Sequence, residues 1–265
     1  MNKPFTIAHA AQDSDPNDSG FVHAVALAAH GGARLVSVHA CAAGSHPVEL
    51  PEASVLLARW GYAADRVSHE RIQHTCCDEV DETLLDALAQ VTPDLLIAST
   101  HARSGIARIF LGSVAEGVAR NLRAPTLLLP LGGPSFVDGS SGALRLTRML
   151  LPVGGTREAQ AAVNAAAALA QLAESERVEL VLLHVTDGAA PPEVKVPAGF
   201  HVSQRTATGP LEPAVVQAAQ ALQPDLIVMV THGHDAVADV ARSSHTERVL
   251  HACRRPLLWV PASAA

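Results

Sequence analysis

The sequence contains itself twice, and a repeat of this length limits the fold more than any single residue does. Residues 92–101, TPDLLIASTH, recur at 223–232 as QPDLIVMVTH, an offset of 131 residues. The same offset carries Glu116 onto Glu247, Val118 onto Val249 and Pro125 onto Pro256. Upstream, LVSVH at 35–39 matches LVLLH at 180–184 with an offset of 145, so the second copy is 14 residues shorter between these two blocks. Between the copies, 131–142 reads LGGPSFVDGSSG, a Gly, Ser and Pro composition that predicts neither packing nor regular structure. The expected division is a first domain at 1–131, a linker at 132–146 and a shortened second domain at 147–265.

Within each copy, short β-branched or leucine-rich runs alternate with longer alanine-rich amphipathic stretches. This is the pattern of successive βα units, a parallel sheet covered on both faces. The spacing predicts strands near 4–10, 34–40, 67–74, 94–99 and 125–130, with helices near 17–31, 50–63, 78–91 and 113–122. In the second copy it predicts strands near 148–153, 178–185, 200–206, 225–230 and 256–260, with helices near 157–173, 211–222 and 244–253. The missing 14 residues fall on the helix at 50–63, replaced by the proline-broken run DGAAPPEVKVP at 187–197.

Composition removes several classes of function. With 19 Lys and Arg against 26 Asp and Glu, the net charge of −7 gives no electrostatic basis for gripping a nucleic-acid backbone. No run approaches the roughly 20 apolar residues of a membrane helix, and the first ten residues lack a signal-peptide pattern, so the expectation is a cytoplasmic protein with no membrane partner. Cys41, Cys76, Cys77 and Cys253 have neither zinc-site nor redox-pair spacing and read as reduced small hydrophobes. His232, His234 and His245, with Asp235 and Asp239, could gather around a metal, but His232 is part of the repeated TH block, and no metal site is expected. No Ser-His-Asp arrangement, catalytic carboxylate pair or P-loop lysine is evident, and Asp13, Asp15 and Asp18 read as a turn followed by a helix cap.

Ligands of open parallel sheets bind beyond the carboxyl ends of the strands, where strand order reverses. In copy one the loop after the fourth strand leads to Gly112-Ser113 at a predicted helix start. There, unpaired N–H groups and the positive end of the helix suit a phosphate, although Ser113 with Glu116 also makes an ordinary capping box. These motifs resemble the universal stress protein family, which carries G-x2-G-x9-G-[ST] after the fourth strand, then a V-A-E helix and a P-x-L-x-V strand. Here the corresponding runs are THARSG at 100–105, LGSVAE at 111–116 and APTLLLP at 124–130. In copy two they are THGH at 231–234, SSHTERVL at 243–250 and RPLLWVP at 255–261.

The resemblance implies two tandem doubly wound α/β domains, each a five-stranded parallel sheet of order 3-2-1-4-5 with helices on both faces. It also implies an intrachain pseudo-dimer through the last strands, Pro125–Leu129 and Pro256–Val260. It implies a stress-response protein that acts through a protein partner, open to homodimerisation, with an adenine nucleotide such as ATP, and Mg²⁺ only with it, as the cofactor. An ATP hydrolase or phosphotransferase at copy one is the alternative. The implied cofactor-binding residues are Gln12, Ala40, Ser99, His101, Ala102, Arg103, Gly112, Ser113 and Val114 in copy one, and Val185, Gly233, Ser243 and Ser244 in copy two.

The departures from the family pattern are uneven. The motif positions fall on Ser99, Ala102, Gly112 and Ser113 in copy one and on Val230, Gly233, Ser243 and Ser244 in copy two, while the family's aspartate after the first strand falls on Gln12 and Gly154. Copy one therefore keeps small residues and an amide able to hydrogen-bond, whereas Val230 hinders close backbone approach and Gly154 offers no side chain. The expectation is no binding, or one weak site in copy one.

Overall fold

A computed structural model describes residues 3–44, 48–76, 80–100, 124–186, 188–231 and 245–261. Copy one contributes β1 (Thr6–Ala10), α1 (Ser19–Gly31), β2 (Arg34–Ala42), α2 (Ala53–Arg59), β3 (His69–Cys76), α3 (Val80–Val91), β4 (Leu95–Thr100) and β5 (Thr126–Pro130). Copy two contributes β6 (Arg148–Val153), α4 (Thr156–Leu172), β7 (Glu179–Val185), β8 (His201–Ala207), α5 (Leu211–Leu222), β9 (Leu226–Thr231), α6 (His245–Cys253) and β10 (Leu257–Pro261). The helix expected near 113–122 lies outside the described residues. The helix expected over 50–63 is confined to Ala53–Arg59, because Pro51 precedes it and Gly61, at φ +76°, turns the chain out of it.

The strands form one sheet of order β3-β2-β1-β4-β5-β10-β9-β6-β7-β8. Each copy supplies five parallel strands in the order 3-2-1-4-5, as the resemblance implies. The two sets are fused through antiparallel pairing of β5 with β10, Leu127 opposite Leu258 with Leu128–Leu257 and Thr126–Trp259 on either side. Since the repeat offset of 131 carries Leu127 onto Leu258, the pseudo-twofold axis passes through this pair.

Strand residues alternate between two cores, as the pleat requires. Ile7, Leu35, Ile97, Leu127, Leu151, Leu182 and Val228 face α1, α2 and α4. Val36, Leu96, Leu128, Leu150, Val181 and Ile227 face α3, α5 and α6. Both cores run unbroken across the β5–β10 seam.

α1 is buried from Gly20 to Ala29, since α4 of the other copy covers the side that a surface helix would give to water. At Gly31 the two helices come so close that a Cβ would lie 2.2 Å from Leu172 Cδ1 and 2.8 Å from the Leu172 carbonyl oxygen.

The segment joining the copies corrects the composition reading. Phe136, Val137 and Leu146 are buried in the α1-side core, Val137 bridges Leu144, and Asp138 accepts from Ser140 to close a turn. Trp60 at the end of α2 donates from Nε1 to the Gly139 carbonyl at 3.0 Å, and its ring lies where a side chain at Gly142 would go. Phe136 meets the His23 ring edge-on at 4.5 Å between centroids. Glycine and serine shape the turn; three apolar residues anchor it, and composition alone hid them.

Candidate functional site

The carboxyl ends of β1 and β4 and the start of α1 meet in copy one. Residues 13–17 make an Asx-type turn, with Asp15 N donating to Asp13 Oδ1 and Asn17 N to Asp15 Oδ1, both 2.9 Å. Asp18 then caps α1, its Oδ2 accepting from Phe21 N at 3.0 Å. The same oxygen accepts from Ser99 Oγ at 3.0 Å, and Ser99 Oγ in turn accepts from Gly20 N at 2.7 Å. Gln12 reaches across the crevice, donating from Nε2 to the Ser99 carbonyl at 2.8 Å.

Gln12 and Ser99 are thus brought together as the sequence implied, but the Ser99 side chain turns toward α1 and is fully engaged there. That hydroxyl ties α1 to β4. Ala40, near the end of β2, has its side chain in the opposite core, toward α3. Val185 holds the matching place on β7, partly buried in that same core. Beside it Gly155 N donates to Glu158 Oε2 at 2.9 Å, so the start of α4 is capped by its own glutamate. His101, Ala102, Arg103, Gly112, Ser113, Val114, Gly233, Ser243 and Ser244 lie outside the described residues. So do His232, His234, Asp235 and Asp239; His245 is described and contacts Arg248 at 2.8 Å.

Beneath this mouth runs a buried polar chain that the sequence reading missed. His9 of β1 stands in register with Ser37 of β2, and their Nδ1 and Oγ atoms are 3.3 Å apart. His9 Nε2 lies 3.5 Å from Asp18 Oδ2, at ion-pair rather than hydrogen-bond distance. Ser37 Oγ is 2.9 Å from His69 Nε2, and Ala53 N donates to His69 Nδ1 at 3.2 Å.

The backbone donor at one end and the carboxylate at the other set the direction of the chain. His69 must accept at Nδ1 and so carries its proton on Nε2, donating to Ser37. Ser37 donates to His9 Nδ1, and His9 points its remaining N–H at Asp18. Burial pushes the His69 pKa down to about 4, helped by the Arg71 charge and by the cost of setting a second imidazolium near His9, which matches its accepting Nδ1. Burial would raise the Asp18 carboxyl, but the His9 imidazole facing it at 3.5 Å and the hydrogen bonds from Ser99 Oγ and Phe21 N outweigh it and lower it to about 2.

The order carboxylate, imidazole, hydroxyl is that of a hydrolase triad. Ser37, however, is fully buried and already bonded to His69, so no substrate reaches its Oγ.

The signal for this chain lay in comparing the copies. At the equivalent strand positions copy two carries Leu151, Leu182 and Val202, with Leu151 and Leu182 buried. Leu35 pairs with His69 where Leu180 pairs with Val202, which fixes the third correspondence.

The family model described as "Universal stress protein family" matches residues 4–130 and 193–261. The chain belongs to the universal stress protein family. Among solved structures, a universal stress protein from Archaeoglobus fulgidus superposes with a TM-score of 0.62 at 13% identity, covering 97% of this chain and 96% of its own. A functionally unknown protein from Pseudomonas aeruginosa PAO1 gives 0.59 at 14% identity, covering 97% and 92%. At these identities the likeness is one of fold. A universal stress protein in complex with cAMP covers 44% of this chain with a TM-score of 0.34, too slight a likeness to bear on ligands here. No curated protein matches by sequence. The stretch 131–192, between the two matched segments, holds the linker, β6, α4 and β7. Among the described residues no helix is long and apolar enough to cross a membrane.

Proposed function

We propose that this universal stress protein is a non-catalytic stress-response protein that works by binding a protein partner and takes an adenine nucleotide, such as ATP with Mg²⁺, in copy one only. The division into 1–131, 132–146 and 147–265 belongs to the same reading.

The observation that carries the asymmetry is the strand-end mouth. In copy one Gln12, Ser99 and Asp18 converge there with hydrogen-bonding groups. In copy two the corresponding positions of Gln12 and Ser99 are Gly154 and Val230, and Val230 packs against the apolar core. A base edge needs donors and acceptors facing it, and an amide supplies both where a glycine supplies none. Ala40 and the loop residues His101, Ala102, Arg103, Gly112, Ser113 and Val114 complete the proposed pocket.

Calorimetric titration with ATP and Mg²⁺ tests this. We expect one weak site per chain, lost in Gly112→Val, weakened in Gln12→Leu and little changed in Val230→Gly. Two equivalent sites, or a site indifferent to Gln12→Leu, would overturn the assignment. Steady ATP turnover abolished by Gly112→Val would replace the non-catalytic reading with a hydrolase.

A further inference from the structure

We propose that Asp18, His9, Ser37 and His69 form an acid-releasable latch that fastens α2 to the sheet in copy one.

The first support is that the fold does not require the chain to be polar. Copy two builds the same three strand positions from Leu151, Leu182 and Val202, and pairs its strands in the same register. Buried polar groups are costly unless satisfied, and an apolar substitute of similar shape is often as stable. Copy one nevertheless commits two imidazoles, a hydroxyl and a carboxylate there.

The second support is where the chain ends. Its last acceptor, His69 Nδ1, takes Ala53 N–H, the first amide of α2. α2 has no counterpart among the described residues of copy two, where the segment following β7 contains no helix before β8. The polar chain and the helix it holds are present together and absent together. α2 is also held by Leu56 and Leu57 buried in the α1-side core and by Arg59 Nη1 donating to Asn17 Oδ1 at 2.7 Å, so the His69 contact fastens its first turn, beside which Glu52 pairs with Arg71 at 2.8 Å and Arg71 donates to the Leu50 carbonyl.

A proton explains release. Nδ1 cannot both accept from Ala53 and carry hydrogen, so protonating His69 replaces an N–H···N bond with two N–H groups facing each other. Among the described residues, the titratable and charged groups around His69 are His9 of β1, Arg71 of its own strand and Glu52 at the start of α2, with Asp18 of α1 reached through His9. β2 offers the neutral Ser37, and α1 the Phe21 ring at 5.7 Å between centroids. Arg71 and His9 oppose the cation and Glu52 favours it, so the latch stays closed at neutral pH and opens in acid near His69's depressed value of about 4.

Trp60, which caps the far end of α2, is a built-in reporter, and Trp259→Phe removes the other tryptophan. In that background we expect the Trp60 emission to shift with a midpoint near pH 4 before far-UV circular dichroism is lost. Installing the copy-two residues, His9→Leu, Ser37→Leu and His69→Val, should abolish the shift. An emission change that coincides with global unfolding, or one that persists in the triple variant, overturns the latch. Should that variant not fold, NMR of the unmodified chain decides. The Ala53 amide and the His69 imidazole should move together with one midpoint, and a His69 that titrates while the Ala53 amide stays fixed overturns the proposal.

Discussion

His23 and His69 are both held neutral by burial, each lowered to about 4 from an ordinary value of 6.5. His23 is fully buried, its Nδ1 bonded to the Ser19 carbonyl at 2.7 Å and its Nε2 3.3 Å from Ser135 Oγ. For both groups the unfolded chain binds the extra proton first, so their contribution is complete above pH 6.5 and is lost as pH falls toward 4. Asp18 acts in a lower window: its carboxylate is stabilising above 3.8 and loses that effect on the way to 2. Urea midpoints should therefore be level above pH 6.5, decline from there to pH 4 and fall further below. His23→Leu should shallow the first decline without removing it, because His69 remains. A midpoint that rises on acidification through this window would show that burial is not what sets these groups.

At the scale of the elements, Gly31 reverses the usual effect of replacing a helical glycine. Gly→Ala inside a helix ordinarily stabilises by about 0.5–1 kcal/mol. Here the added methyl would meet the Leu172 side chain and its carbonyl oxygen, and overpacking of this kind costs about 1–3 kcal/mol. Gly31→Ala should lower the urea midpoint, and Leu172→Ala alongside it should relieve only the side-chain part of the clash. Nothing in the sequence around Gly31 announces this, because the contact joins residues far apart in the chain. The described strands and most of the described helices were legible, since hydrophobic alternation and alanine-rich periodicity are local and the repeat gave every element but α2 an independent second reading. The linker was not, as Phe136, Val137 and Leu146 acquire meaning only when α1 and Trp60 are beside them. The Asp18–His9–Ser37–His69 chain escaped for a related reason: its members are spread over four elements, and only parallel register brings them to one level. Of the residues proposed to bind nucleotide, the sequence placed Gln12 and Ser99 at one crevice, but it could not tell that the Ser99 hydroxyl serves α1.

For the molecule as a whole, the β5–β10 seam and the α1–α4 contact make the two copies halves of one body. Expressed separately, the half ending at residue 146 loses the partner of β5 and the cover of α1, leaving an open strand edge and an exposed apolar helix. We expect that fragment to elute at twice its mass or to aggregate, and to return to a single-chain-sized species when mixed with the 147–265 half; a stable monomer would mean the seam is dispensable. The seam also distinguishes which halves meet. Around the Leu127–Leu258 axis, Leu128 faces Leu257 and Trp259 faces Thr126, so medium meets medium and large meets small. A pair of first halves would set Leu128 against Thr126 on both sides and leave the seam thin. A pair of second halves would set Trp259 against Leu257 on both sides and crowd it. Side chains directly opposite on antiparallel strands feel such mismatches. The broken symmetry thus acts as a recognition code: each half is shaped to prefer the other over a copy of itself, and covalent linkage supplies that other half at high local concentration from the same chain.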